Sequence, residues 1–134
     1  LVAEPELIPT AVEEFLRAYS PVTMARVAAE DTEIAGCPVM AGDKVFLPFG
    51  ASNRDPEMFD RPEEVIIDRE ENRHFAFGIG IHRCLGSNLA RMELVVAMEE
   101  WLKRFPEFSL ATDSEVQWGG TQVRGPRSVP VRVT

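Results

Sequence analysis

Apolar residues recur along this chain with two periods, and the switches between them mark out its elements. Val12, Phe15, Leu16 and Tyr19 keep helical spacing, and Pro21 stops that helix. Before it, Pro5-Glu6-Leu7-Ile8 reads as a short turn closed by Pro9, with Thr10 as N-cap and Glu13 three residues on as its capping-box partner. Val22–Ala28 alternates in part, with Arg26 intruding, and Lys44–Leu47 is a second strand. Between them Thr32–Ile34 and Gly36–Val39 form a hairpin, with a further turn at Ala41–Asp43.

From Ala51 to His74 the chain is polar and acid-rich, and Asp55-Pro56 and Arg61-Pro62 break it into a meandering surface loop. The longest helical pattern follows, over 87–104. Leu85, Leu89, Met92 and Val96 make one stripe, and Leu94, Met98, Trp101 and Leu102 another, so this helix is expected to be buried on more than one side. Phe105-Pro106 ends it. Phe108–Leu110, Gln117-Trp118 and Val129–Val133 read as strands, with Gly119-Gly120 and Gly125-Pro126 as turns.

The chemistry gathers in the glycine-rich loop ahead of the long helix. Gly78 and Gly80 let the backbone fold tightly and approach a flat ligand. Cys84 stands where a helix begins, and unpaired amides there favour a sulfur as its thiolate. Four readings are open on these residues alone. Gly78-Ile79-Gly80 before a helix could bind phosphate, although no lysine enters the loop. Cys84 could be a nucleophile with His82 as its base. Zinc would draw on His82, Cys84, Cys37 and His74, which lack the usual ligand spacing. Cys84 could also be a buried, inert thiol.

Phe-Gly-x-Gly-x-His-x-Cys-x-Gly at 77–86 resembles the haem-binding signature of the cytochrome P450 family at every fixed position. Two upstream segments support the resemblance: Glu14-Phe15-Leu16-Arg17 is similar to the family's Glu-x-x-Arg helix motif, and Asn53-Arg54-Asp55-Pro56 to its meander. The fold implied is mainly α with a small antiparallel β-sheet, residues 1–134 being the C-terminal portion of a single haem-binding monooxygenase domain whose upstream helices lie outside the chain. Cys84 would be the axial thiolate of a haem b iron and the catalytic ligand. Phe77, Gly78, Leu85 and Gly86 would surround it, with no side chain at either glycine to obstruct the porphyrin. Later amides would bond the sulfur. His82 and Arg26 would reach haem propionates, and Glu14, Arg17 and Arg54 would form a structural triad. Val22, Thr23, Met24, Thr121 and Gln122 would line a pocket for a small organic substrate.

The reaction implied is insertion of one oxygen atom from O2, with electrons from a ferredoxin-like donor docking where Arg73, Arg83 and Arg91 gather. The chain alone is expected to be inactive. A different class of function remains in view, a truncated non-catalytic module that packs on or binds another chain.

Composition adds a few limits. A 134-residue chain with 45% hydrophobic and 27% charged residues is globular in character. A net charge of −8 argues against nucleic-acid binding. Two cysteines form no disulfide framework and suit a reducing compartment, the cytoplasm. No apolar run is long enough to span a membrane.

Overall fold

The computed structural model describes residues 1–134. Three α-helices, α1 (Ile8–Ala18), α2 (Phe49–Ser52) and α3 (Ser87–Arg104), carry eight short strands between and after them. The strands are β1 (Thr23–Val27), β2 (Thr32–Ile34), β3 (Cys37–Val39), β4 (Lys44–Pro48), β5 (Phe108–Leu110), β6 (Gln117–Gly120), β7 (Arg124–Ser128) and β8 (Val131–Val133). They pair as four two-stranded antiparallel ladders, β1 with β4, β2 with β3, β5 with β8 and β6 with β7. The β2–β3 hairpin turns through Ala35 and Gly36, both at positive φ, the backbone that matches the right-handed strand twist.

α3 covers the residues its apolar periodicity marks out, and it packs against α1. Its last turn continues into an aromatic cluster, with Trp101 4.9 Å from Phe105 and 5.6 Å from Phe108 between ring centroids. The expected burial on more than one side is not met, because apart from this cluster only α1 packs on α3: Leu89, Met92 and Val96 are each more than half exposed.

Two expectations fail locally. α1 begins at Ile8, with Leu7 as N-cap and no side-chain cap, so Thr10 and Glu13 form no capping box. Pro9 is accommodated in the first turn, where a missing N–H costs nothing. Glu13 instead bonds Arg91 and His74, a stronger claim than one free amide. Likewise Gly119-Gly120 and Gly125-Pro126 lie within β6 and β7, and the turn between them falls at 121–123. Gly119 and Gly120 serve close approach: a Cβ on Gly119 would collide with the Arg127 side chain, and one on Gly120 would lie 2.7 Å from Arg124 Cα.

The centre of the molecule is polar. Arg17, Glu14, Val12 and Asn53 are its largest fully buried side chains, with Ile8, Ala11, Ala18, Phe59 and Ala76 around them. Spacing of three puts Glu14 and Arg17 on one face of α1, where Arg17 grips both carboxylate oxygens at 2.8 Å. The remaining Arg17 donors reach the main-chain carbonyls of Asn53, Pro62 and Glu64, each at 2.8 Å. All five guanidinium N–H groups are therefore used, and the plane lies over the Phe59 ring at 5.4 Å.

Glu14 is equally committed. Beyond Arg17, it accepts from the Ile66 amide at 2.8 Å, Arg69 Nε at 3.0 Å and Asn72 Nδ2 at 3.1 Å. Burial alone would push its pKa up, yet these donors hold it below the usual carboxylate value.

Arg54 does not join this cluster, contrary to the sequence-based assignment. It bonds the Ala18 carbonyl and pairs with exposed Glu63. Arg69 takes the inner place, and it also gathers the carbonyls of Asp60, Arg61 and Glu64. The reason is reach: Arg69 lies at the end of the meander, which folds back over α1, while Arg54 lies at its start, beside the end of α1.

These contacts rank three substitutions by chemical denaturation of the protein that carries this chain. Arg17→Lys should destabilise most, by about 2–4 kcal/mol, because a lysine leaves buried oxygens unpaired. Arg69→Gln should cost about 1–3 kcal/mol, and Arg54→Gln less than about 1 kcal/mol.

Candidate haem-ligand loop

Asn53, at the heart of the polar core, also sets the start of the cysteine loop. Its Nδ2 donates to Ser20 Oγ and its Oδ1 accepts the Phe75 amide, both at 2.6 Å. The chain then turns at once, with the Gly78 amide on the Phe75 carbonyl at 2.8 Å. Gly78 and Gly80 both take positive φ, +69° and +67°, which other residues adopt only with strain. A single 3₁₀ turn, Gly80–His82, follows. The loop closes when the Cys84 amide returns to the Phe77 carbonyl at 2.9 Å. The Cys84 carbonyl in turn receives the Ser87 amide at the start of α3.

Cys84 is exposed, so the reading of a buried inert thiol fails. Apolar side chains surround it in sequence without being buried: Ile79, Ile81 and Leu85 all face solvent, the last two almost completely. A Cβ on Gly86 would stand 3.9 Å from the sulfur, so its absence keeps space beside Sγ open. The amides of Leu85 and Gly86 take no backbone acceptor. No group of three or more His, Cys, Asp or Glu side chains is placed to hold a metal ion. A lone exposed sulfur donor inside an apolar rim suits a metal whose other ligands come from a flat macrocycle, and the residues present therefore fit haem.

Behind this loop lies a second ionic cluster. Glu13 receives Arg91 Nε at 2.6 Å and Nη2 at 2.9 Å, and its Oε2 is 3.0 Å from His74 Nε2. Burial raises the Glu13 carboxyl, but Arg91 and His74 outweigh it and the net pKa is lowered. The Arg91 guanidinium covers the Phe77 ring at 4.8 Å. His74 Nδ1 accepts the Ala76 amide at 3.2 Å, so its proton sits on Nε2, facing Glu13. Burial pushes the imidazole below its ordinary pKa, beyond what Glu13 restores.

The substrate-pocket candidates come from opposite ends of the chain and meet. The Thr23 amide donates to the Gln122 carbonyl at 2.9 Å, Val22 bridges Val123, and Gln122 Nε2 lies 3.3 Å from Met24 Sδ. Thr121 lies in the β6–β7 turn beside them. Arg26 and His82 are exposed, and Arg26 bonds only the neighbouring Ala25 carbonyl. Arg91 is not free for a docking patch, being spent on Glu13. Arg73 and Arg83 remain, and both line a cavity of about 360 Å³ together with Gly78 and Gly80. Sequence reasoning missed Asn53, Arg69 and the Glu13–Arg91–His74 cluster. Asn53 was within view, in the segment quoted for Arg54.

The family model described as Cytochrome P450 matches residues 2–117. The polyketide biosynthesis cytochrome P450 PksS of Bacillus subtilis is 46% identical over 138 residues, covering 100% of this chain and 34% of PksS. The steroid C26-monooxygenase of Mycolicibacterium smegmatis is 44% identical over 136 residues, again covering 100% and 34%. The solved PksS structure superposes with a TM-score of 0.95, over 100% of this chain and 36% of that one. That of P450BioI, in complex with an acyl carrier protein ligated to hexadec-9Z-enoic acid, gives 0.93 at 43% identity, over 100% and 35%. This chain thus has part of the fold of those proteins and spans about a third of the length of the curated relatives.

The His74 environment sets a pH dependence. With a folded pKa below the 6.5 of the free side chain, the unfolded chain binds the extra proton first. Stability should therefore be full above pH 6.5 and fall as pH drops from there through the folded value. Denaturation of the wild-type protein across this window should show that slope. His74→Gln, which has no proton to gain, should flatten it.

Proposed function

Since this chain belongs to the cytochrome P450 family, we propose that it is the C-terminal portion of a haem-thiolate monooxygenase, with Cys84 the single protein ligand to the iron of haem b. The observation that carries this reading is the exposed Cys84 at the start of α3, ringed by unburied apolar residues and kept clear by Gly86. Haem, when bound, supplies activation of O2 and transfer of one oxygen atom to an organic substrate.

The chain's own residues have distinct parts in this reading. The Phe77 carbonyl fixes the Cys84 amide, and the free amides of Leu85 and Gly86 are available to donate toward the sulfur and temper its electron donation. Ile79, Ile81 and Leu85 would exclude water around Cys84 if a flat apolar ligand covered them. Arg26, exposed and bonded only to the neighbouring Ala25 carbonyl, and exposed His82 would donate to propionate carboxylates. Val22, Thr23, Met24, Thr121 and Gln122 form one wall of the substrate pocket. Arg73 and Arg83, on an otherwise acidic chain, offer a ferredoxin-like donor a local positive surface. No helix is long and apolar enough to cross a membrane, and both cysteines are unpaired, which suits the cytoplasm.

A second reading, a non-catalytic module that packs on another chain, draws on the uncovered apolar face of α3. Haem titration separates the two. The monooxygenase reading expects stoichiometric uptake by the protein that carries this chain and a red-shifted ferrous–CO band. That band should vanish in Cys84→Ser and persist in Cys37→Ser. A band retained in Cys84→Ser would remove Cys84 from the iron.

A further inference from the structure

Two adjacent glutamates on α1 point to two different tasks. Glu14 turns into the core and binds the meander, as described above. Glu13 turns toward the cysteine loop and joins three elements: α1 through its own backbone, α3 through Arg91, and the segment entering the loop through His74. Arg91 is not simply a surface cation that found a partner. Both carboxylate oxygens receive it, and its plane is pressed on the ring of Phe77 at 4.8 Å. The same residue, Phe77, offers the carbonyl that holds the Cys84 amide. His74 completes the frame: its Nε2 meets Glu13 while its Nδ1 takes the Ala76 amide, one residue before Phe77.

We propose that Glu13, Arg91 and His74 are a positioning unit for Cys84. They hold Phe77 from two directions, by its ring through Arg91 and by the Phe75–Ala76 peptide one residue upstream through His74, so that the Phe77 carbonyl presents a fixed acceptor to the Cys84 amide. The unit deepens the haem-thiolate reading and rests on it for its meaning, because a sulfur that must stay on an iron needs a backbone that cannot drift. None of the three residues is asked to touch the cofactor. Arg91 acts through Phe77, and Glu13 acts through Arg91 and His74.

The geometry separates the contributions of charge and fork. A lysine at 91 keeps a cation for the Phe77 ring but cannot bind both Glu13 oxygens in one plane. A leucine keeps bulk and loses both. Glu13→Gln keeps shape and weakens the grip on Arg91.

The test is hydrogen exchange at the Cys84 amide in the protein that carries this chain, read beside the ferrous–CO spectrum of the haem-loaded form. Arg91→Leu should speed exchange at Cys84 by about tenfold, as expected when a charge-assisted contact holding a local structure is lost. Exchange in the β2–β3 hairpin should not change. Part of the thiolate-type CO band should be lost, with Arg91→Lys lying between. A folded Arg91→Leu protein with wild-type exchange at Cys84 and a wild-type band would overturn the proposal. If Arg91→Leu does not fold, Glu13→Gln decides, since unchanged exchange and band there would overturn it equally. A wild-type protein that takes up haem with no thiolate band would defeat the reading of Cys84 as ligand, while the exchange comparison would still decide the positioning unit.

Discussion

A carboxylate that water cannot reach is the constraint on which the rest of this structure depends. Glu14 and Arg17 are both fully buried, and each alone would carry a desolvation cost of several kcal/mol. The arrangement is tolerable because every donor and acceptor of the pair is engaged, with Arg69, Asn72 and main-chain groups of the meander completing the set. The value of such a cluster is geometric. The meander has no regular ladder between α2 and the cysteine loop, so its carbonyls take their places from Arg17 and Arg69. Arg61, at positive φ, sits in that run with its carbonyl on Arg69.

That frame reaches the functional loop by two routes. Asn53 gives its carbonyl to Arg17 and its side-chain oxygen to the Phe75 amide, so the entry to the loop is tied to the buried core. Glu13, one residue before Glu14, ties α1 to α3 and to His74. A loop with few regular backbone bonds thereby becomes a fixed presentation of Cys84. The apolar surface it presents is uncovered, as is much of α3. The chain spans about a third of its curated relatives, and a flat apolar cofactor would bury the rim of the loop.

What could be read from the sequence was whatever short-range chemistry decides. α3 follows its apolar spacing to both ends, and the β2–β3 hairpin follows its turn residues. The Glu14–Arg17 pair is visible because i, i+3 places two side chains on one helical face. The third arginine was not, since a buried arginine and a solvated one are the same letter, and only the path of the meander chooses Arg69 over Arg54. The capping box failed for a related reason: Glu13 had better partners 61 and 78 residues away. Gly119 and Gly120 read as a turn because glycine's freedom is the usual signal. Here they serve the opposite need, room for Arg127 and Arg124 across a strand pair.

The claim that matters most is that this frame exists to hold one sulfur on one metal. X-ray absorption at the iron edge of the haem-loaded protein that carries this chain tests it without relying on turnover. The account predicts a single sulfur scatterer in the first shell, with macrocycle nitrogens making up the rest. A first shell of nitrogen and oxygen alone would show that Cys84 is not the ligand, and the account would fall.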